Sequence, residues 1–92
     1  MKKRTQKEWE EIKILGQIAQ KHLLTLEADQ FVNNVYVNYV LCSHELNMKF
    51  AIIKKGDEID REMLESYGYR TLKTTDINAP QIEFLIEYIF RA

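Results

Sequence analysis

The chain has 92 residues, a formal net charge of −1 at pH 7 and one cysteine. This length suits one domain, so we expect a single domain over 1–92, with residues 1–4 as a flexible N-terminal end. Hydrophobic residues make up 46% and charged residues 29%, as is typical of a soluble globular domain. The near-neutral charge excludes a strongly basic nucleic-acid binder, and the single cysteine excludes an internal disulfide framework.

Targeting and membrane signals are not found in the sequence. The N-terminal residues are basic but are not followed by the apolar stretch of a signal peptide. The longest apolar-rich stretch, FLIEYIF at 84–90, is interrupted by Glu87 and is far shorter than the ~18 apolar residues that span a bilayer. We therefore expect a cytoplasmic protein that does not contact a membrane and keeps Cys42 as a reduced thiol.

Helical periodicity begins at the N-terminus. Thr5 and Glu8 have the spacing of a capping box, in which each side chain satisfies a backbone amide of the other residue. Apolar residues then recur every three or four positions, at Trp9, Ile12, Leu15, Ala19, Leu23 and Leu26. The pattern predicts an amphipathic helix that ends near residue 27, with Gly16 as a point of close packing.

Strand periodicity follows. Phe31 and Val32 predict a short strand, and Asn33-Asn34 a turn. From 35 to 42 the side chains alternate between two faces, with Val35, Val37, Tyr39 and Leu41 on one face and Tyr36, Asn38, Val40 and Cys42 on the other. After a polar turn at 43–47, the segment 48–54 is predicted to be the antiparallel hairpin partner.

The second half predicts a helix, a strand and a last helix. Asp57 is the predicted N-cap of the first of these helices and Gly68 its C-terminal cap. A strand over 69–74 follows, and Asn78 caps the last helix, which runs to about Arg91. This order predicts an α/β (α+β) domain, with a small mixed sheet of three or four strands flanked by helices.

Catalytic and metal-binding patterns are not found. Cys42 and His44 stand two apart on one strand, which places parallel side chains about 7 Å apart, a poor geometry for a catalytic dyad. One cysteine and two histidines leave a structural zinc site short of ligands. Glu8, Glu10 and Glu11, like the other carboxylate sets, are assigned to solvated helix starts and faces. We therefore predict no catalytic residue, no metal, no cofactor and no enzymatic activity.

The last helix carries more apolar surface than one buried face needs. Its broad apolar face consists of Ile82, Leu85, Ile86, Ile89 and Phe90, and Phe84 and Tyr88 widen that face beyond half of the circumference. Two interpretations remain open. Either the helix is central to the core, or Phe84, Tyr88 and Arg91 contact a partner protein, since aromatic residues and arginine are favoured at interfaces.

Basic residues form a second candidate surface. Lys2, Lys3, Arg4 and Lys7 cluster near the N-terminus, and Lys54 and Lys55 end the second strand of the hairpin. A basic arm of this kind can bind phosphates, and it can equally be an ordinary solubilising terminus.

Three stretches of the chain are similar to the PD-(D/E)xK endonuclease superfamily, particularly its small very-short-patch-repair-like members. They are TQKEWEEI at 5–12, VNYVL at 37–41 with FAIIKKGD at 50–57, and DREMLESYGYRTLKTTDI at 60–77. That family holds Mg²⁺ with an Asp on the first hairpin strand and a Glu, followed two residues later by Lys, on the second. Here Asn38 takes the Asp position, Ile52 or Ile53 the Glu position, and only Lys54 or Lys55 matches. The resemblance therefore implies a nuclease-like fold without its metal ligands.

Three hypotheses follow. The first is a non-enzymatic protein-interaction or regulatory module of the adaptor or inhibitor type, such as phages and mobile elements carry, with pairing into a homodimer left open. The alternative is a nucleic-acid-binding protein with a degenerate nuclease-like fold, and the third is a metal-dependent nuclease.

Overall fold

The computed structural model of the chain describes residues 3–54, 56 and 59–91, without the side chains of 89–91. Helices and strands alternate along it. They are α1 (Gln6–Lys21), β1 (Thr25–Val32), β2 (Val35–Ser43), β3 (Met48–Lys54), α2 (Arg61–Ser66), β4 (Tyr69–Thr74) and α3 (Ala79–Arg91). The predicted order of elements and the α+β class are confirmed.

The four strands form one mixed sheet in the order β1-β2-β3-β4. β1 pairs with β2 and β2 with β3 in antiparallel fashion, while β3 and β4 are parallel. Parallel neighbours need a crossover connection, and α2 lies in that connection here. Because the chain order equals the spatial order, β1 and β4 are the two edges of the sheet.

The first helix is shorter than its sequence pattern predicts. The capping box of Thr5 and Glu8 is present, but α1 ends at Lys21, and Leu23 adopts φ 57° as the chain turns into β1. The predicted helix to residue 27 and the strand limited to 31–32 are both wrong. Pairing with β2 on both sides of Asp29 outweighs the helical spacing of the leucines at 23 and 26.

The two turns between the antiparallel strands use asparagine. Asn33 and Asn34 have φ values of 49° and 65°, the left-handed values that a type I′ hairpin turn requires and that asparagine tolerates. The predicted turn at these residues is confirmed. Asn47, at φ 51°, ends the second turn, and β3 then follows with its predicted bounds.

Helix α2 begins later than predicted, since its N-cap is Asp60, whose carboxylate accepts a hydrogen bond from the backbone N–H of Met63 at 3.1 Å. Asp57, the predicted N-cap, lies outside the described residues. Several acidic residues here fit a helix start, and the sequence does not distinguish them. The left-handed residue that ends the helix is Gly68, at φ 87°, as predicted.

Helix α3 also begins as predicted. The side-chain oxygen of Asn78 accepts a hydrogen bond from the backbone N–H of Gln81 at 3.0 Å. The backbone carbonyl of Asn78 accepts one from the backbone N–H of Ile82 at 3.1 Å. In its second turn α3 is tied to α1, because the ammonium of Lys21 donates to the carboxylate of Glu83 at 2.9 Å. That hydrogen bond raises the pKa of Lys21 and lowers the pKa of Glu83.

The sheet separates two buried clusters. The larger, beneath α1 and α3, includes Leu15, Tyr39, Leu41, Phe50, Ile52, Leu72, Ile82 and Ile86. The smaller, beneath α2, includes Val37, Val40, Cys42, Ala51, Ile53 and Leu64. Val37 thus shares a cluster with Val40, so the predicted strict alternation along β2 is wrong at this point. The irregularity lies opposite Asp29, which adopts φ 56° and interrupts the pairing of β1 with β2.

Three predictions about the packing of the first helix are wrong. Trp9 and Leu23 are exposed. A Cβ atom added at Gly16 would meet no atom within 4 Å, so this glycine is not a point of close packing.

No helix among the described residues is long and apolar enough to cross a membrane.

Candidate functional site

Helix α3 separates its apolar residues into an inner and an outer set. Ile82 and Ile86 are fully buried, and this turns the outer face toward solvent. On that face Phe84 and Tyr88, spaced one turn apart, are each 67% exposed. The structure therefore places the two predicted interface aromatics together on the surface. Arg91, the third residue predicted for this surface, is at the end of α3, and its side chain lies outside the described part of the chain.

Beside this face runs a groove of about 460 Å³ along β4, which we call the edge groove. One wall is formed by Arg61 and Glu65 of α2 and the other by Leu85 and Tyr88 of α3. Because α2 and α3 cover opposite faces of the sheet, the free edge of β4 lies between the two walls. The groove therefore leaves the edge of the sheet open to solvent.

The charge of the edge groove is positive. It contains three basic side chains, of Arg61, Arg70 and Lys73, and one carboxylate, of Glu65. Arg61 pairs with Glu65 at 3.0 Å. Arg70 and Lys73 are exposed and form no ion pair in the described part of the chain. Sequence analysis missed this site, although two basic residues in a six-residue strand are the signal of an edge strand.

A second pocket, of about 290 Å³, lies between the first turns of α1 and the strands β2 and β3. We call it the polar pocket. Its centre is Glu11, whose side chain is only 3% exposed. Glu11 Oε2 accepts a hydrogen bond from Lys54 Nζ at 2.7 Å, and Oε1 accepts one from the hydroxyl of Tyr39 at 3.1 Å. Both carboxylate oxygens are therefore occupied by side chains of the chain itself.

Glu11 corrects the sequence analysis, which assigned it to a solvated helix face. Its position is set by α1, since Glu11 and Leu15 are one turn apart on the face that packs on the sheet. A buried carboxylate needs compensating partners, and Lys54 and Tyr39 come from β3 and β2. Burial and the charge of Glu11 together raise the pKa of Tyr39, so its hydroxyl remains a donor. Nothing in the helical pattern alone distinguishes Glu11 from its exposed neighbours.

The residues that resemble nuclease positions are partly brought together. Asn38 and Lys54 both line the polar pocket, next to Glu11. Ile52 and Ile53 are buried in the two hydrophobic clusters and offer no metal ligand. Lys55 lies outside the described residues.

The basic residues near the N-terminus do not form one free cluster. Lys3 and Lys7 are exposed, and Lys7 lines the polar pocket. Arg4 instead donates to the carboxylate of Asp29 and lies over the ring of Trp9, at 5.2 Å from its centroid. Two of the predicted phosphate-binding cations, Arg4 and Lys54, are thus neutralised by carboxylates of the chain. Lys2 lies outside the described residues.

Asp29 also accepts a hydrogen bond from the hydroxyl of Tyr36. This bond, with burial as a second cause, raises the pKa of Tyr36 to about 12. Arg4, Asp29 and Tyr36 thus form a small polar network of their own near the start of α1.

Cys42 and His44 do not form a reactive pair. Burial, as the largest cause, raises the pKa of the Cys42 thiol, which disfavours the nucleophilic thiolate. The ring Nε2 of His44 is hydrogen-bonded to the hydroxyl of Thr25 at 3.2 Å. Among the described residues, no group of three or more His, Cys, Asp or Glu side chains is arranged to hold a metal ion.

The chain matches no protein-family model, and neither a curated protein nor a solved structure shows significant similarity to it.

Proposed function

We propose that the chain is a non-enzymatic protein-interaction module, of the adaptor or inhibitor type, which binds a partner protein through the outer face of α3 and the edge groove. The observation that carries the proposal is the pair Phe84 and Tyr88, each 67% exposed and one helical turn apart. Large aromatic side chains are the residues that most often dominate the binding energy of an interface.

The surroundings of this pair support the proposal. Leu85 and Tyr88 also line the edge groove, so the aromatic face is continuous with a concave site. The polar groups best placed for chemistry, in the polar pocket, are engaged with one another. The exposed aromatic residues of α3 favour a binding function, and the mutual pairing of Glu11, Lys54 and Tyr39 in the polar pocket disfavours a catalytic one.

The test compares two sets of exposed aromatics. Phe84→Ser/Tyr88→Ser removes the proposed contact, and Phe31→Ser is the control, because Phe31 on β1 is 69% exposed. Tagged full chains capture partners from a lysate of the source cell, with and without nuclease digestion. We expect one stoichiometric protein whose capture is unaffected by nuclease digestion. It should bind Phe31→Ser with normal affinity and bind the double variant at least about thirtyfold more weakly.

Circular dichroism and thermal melting show whether each variant is folded. A folded double variant that retains the partner contradicts the proposal. So does global unfolding of that variant, because it would mean that Phe84 and Tyr88 support the core.

Nucleic-acid binding is the second candidate, favoured by one observation. Asn38, Lys7 and Lys54 line a single pocket at the start of α1. The pairing of Lys54 with Glu11 weakens this candidate, because a neutralised cation contributes less to phosphate binding. This candidate predicts duplex DNA binding that falls steeply with salt, and a smaller salt slope for Lys2→Ala/Lys3→Ala/Lys7→Ala. A flat salt response counts against it.

A further inference from the structure

The edge groove has the shape of a slot for one extended strand. β4 is hydrogen-bonded to β3 on one side, and no other strand of the described residues pairs with its second side. An edge strand of this kind presents unpaired backbone N–H and C=O groups outward. The walls from α2 and α3 stand on opposite faces of the sheet. A strand that paired with β4 would therefore lie between two helices, while a helix would leave the backbone groups of β4 unsatisfied.

The charges beside this strand select its composition. Residues 56–92 contain four basic and eight acidic residues, yet three of the four basic ones line the edge groove. Arg61 is paired with Glu65, which leaves Arg70 and Lys73 for an external carboxylate. Their side chains point to opposite faces of β4, because they are an odd number of residues apart. Acidic side chains on both faces of an added strand would meet one cation each.

A second copy of the chain fits this edge poorly. Antiparallel pairing of β4 with β4 would bring two copies of Arg70 and two of Lys73 to one seam. Like charges on neighbouring strands destabilise their pairing. Charged residues on an edge strand are also a common means by which proteins prevent self-association. The same cations that repel a second β4 attract an acidic strand.

The apolar wall supplies the remaining contact. Leu85 is partly buried, and Tyr88 and Phe84 are mostly exposed next to it. An apolar side chain on the α3 face of an added strand would cover this wall. Carboxylates interspersed with β-branched or aromatic residues would satisfy both the charges and the wall.

We propose that the edge groove binds an extended acidic segment of a partner protein, which pairs with β4 as an additional strand of the sheet. The inference rests on the proposed function and specifies the chemistry of the partner. The cations Arg70 and Lys73 set its charge, the backbone of β4 provides its hydrogen bonds, and Tyr88 and Leu85 cover its apolar residues.

The first test uses a display library of short random peptides, selected on the wild-type chain and on Arg70→Glu/Lys73→Glu in parallel. Both substitutions are at exposed positions, and circular dichroism verifies that the variant is folded. We expect acidic peptides to be enriched on the wild type and basic peptides on the variant. Peptides without acidic enrichment on the wild type, or the same peptides on both proteins, would overturn the proposal.

The second test identifies strand pairing and needs no further variant of the chain. The best synthetic peptide is N-methylated at alternate residues, in two series of opposite parity, and its affinity is measured by fluorescence anisotropy. We expect one series to bind about tenfold more weakly or worse, because it loses hydrogen bonds to β4, and the other to bind nearly normally. Equal effects of the two series would show that the peptide does not pair as a strand.

The two proposals fail in different ways. If the partner protein requires Phe84 and Tyr88 but binds Arg70→Glu/Lys73→Glu normally, the interaction surface is correct and the acidic strand is wrong. If the affinity for the partner is also unchanged by Phe84→Ser/Tyr88→Ser, the proposed function itself is wrong. Sedimentation of the chain tests the second copy directly: a dimer that the charge reversal disrupts would overturn the acidic-strand proposal.

Discussion

The polar pocket and the edge groove each contain four charged side chains but differ in how those charges are balanced. The polar pocket has two basic and two acidic residues, and its buried carboxylate is bonded to two neighbours. The edge groove has three basic residues and one acidic residue, and among the described residues Arg61 is the only one of its cations in an ion pair. The polar pocket is therefore neutral with its buried carboxylate paired, whereas the edge groove has an excess of two positive charges and an exposed aromatic ring.

The physical cost of the two arrangements explains the difference. An unpaired carboxylate as buried as Glu11 would be strongly destabilising, so its partners are required for folding. Exposed cations are hydrated and need no partner. Covering the exposed parts of Phe84 and Tyr88 would contribute about 2–4 kcal/mol each before the costs of association. The outer face of α3 and the edge groove therefore keep aromatic area and cations exposed at little cost to stability.

The largest expected effect separates the inner and outer faces of α3. Ile86→Ala removes a fully buried side chain and should lower the free energy of unfolding by about 2–5 kcal/mol. Tyr88→Ala, on the exposed face, should change it by no more than about 0.5 kcal/mol. Urea denaturation at unchanged slope measures both. A large loss for Tyr88→Ala would show that this ring supports the core and would remove the distinction between the faces.

The next largest effect contrasts a lysine from each region. Lys54→Met leaves the Glu11 carboxylate buried without its cation, and should cost about 2–4 kcal/mol, less than for a fully buried pair, because Lys54 is 28% exposed. Lys73→Met, the matched control, removes an exposed cation that forms no ion pair with any described side chain, and it should be nearly neutral. The same denaturation experiment compares them. Equal effects would mean that the polar pocket is no more dependent on its charges than the edge groove.

The parts of the fold that follow from local chemistry were predictable from the sequence. The asparagine turn at 33–34, the cap at Asn78 and the left-handed Gly68 each depend on a few adjacent residues, and all three are confirmed. The end of α1 was not predictable, since residues 25–32 combine helical spacing with strand-forming residues. Pairing with β2, a contact distant in sequence, decides that segment.

The candidate sites show the same limit. Periodicity predicted the crowded apolar face of α3 but left open whether Phe84 and Tyr88 are buried. Only the packing of Ile82 and Ile86 on the sheet turns those rings outward. The burial of Glu11 and the approach of α2 and α3 to the two sides of β4 are tertiary facts, and periodicity along one element does not encode them.

Substitution of two glycines by alanine should change stability by a smaller amount and in opposite directions. Gly16 lies in α1, which contributes to the polar pocket, and Gly68 directly precedes β4, the strand of the edge groove. Gly16→Ala should stabilise α1 by about 1 kcal/mol, because a Cβ there meets no atom within 4 Å. Gly68→Ala should destabilise by about 1 kcal/mol or more, because φ is 87° at that position. Thermal melting of both variants provides the measurement. Destabilisation by Gly16→Ala would restore the close-packing role that the sequence suggested.

The smallest expected effect tests the satisfied polar network through its pH dependence. In the folded chain the pKa of Tyr36 is raised from 10.0 to about 12 by its hydrogen bond to Asp29. A raised pKa stabilises the folded state fully below pH 10, and this stabilisation is lost as the pH rises toward about 12. Wild-type chain should therefore lose more stability than Tyr36→Phe across that window, while tyrosines common to both contribute equally. The network is close to solvent, so we expect a modest difference. Parallel pH profiles for the two proteins would mean that the hydrogen bond to Asp29 does not raise the pKa of Tyr36.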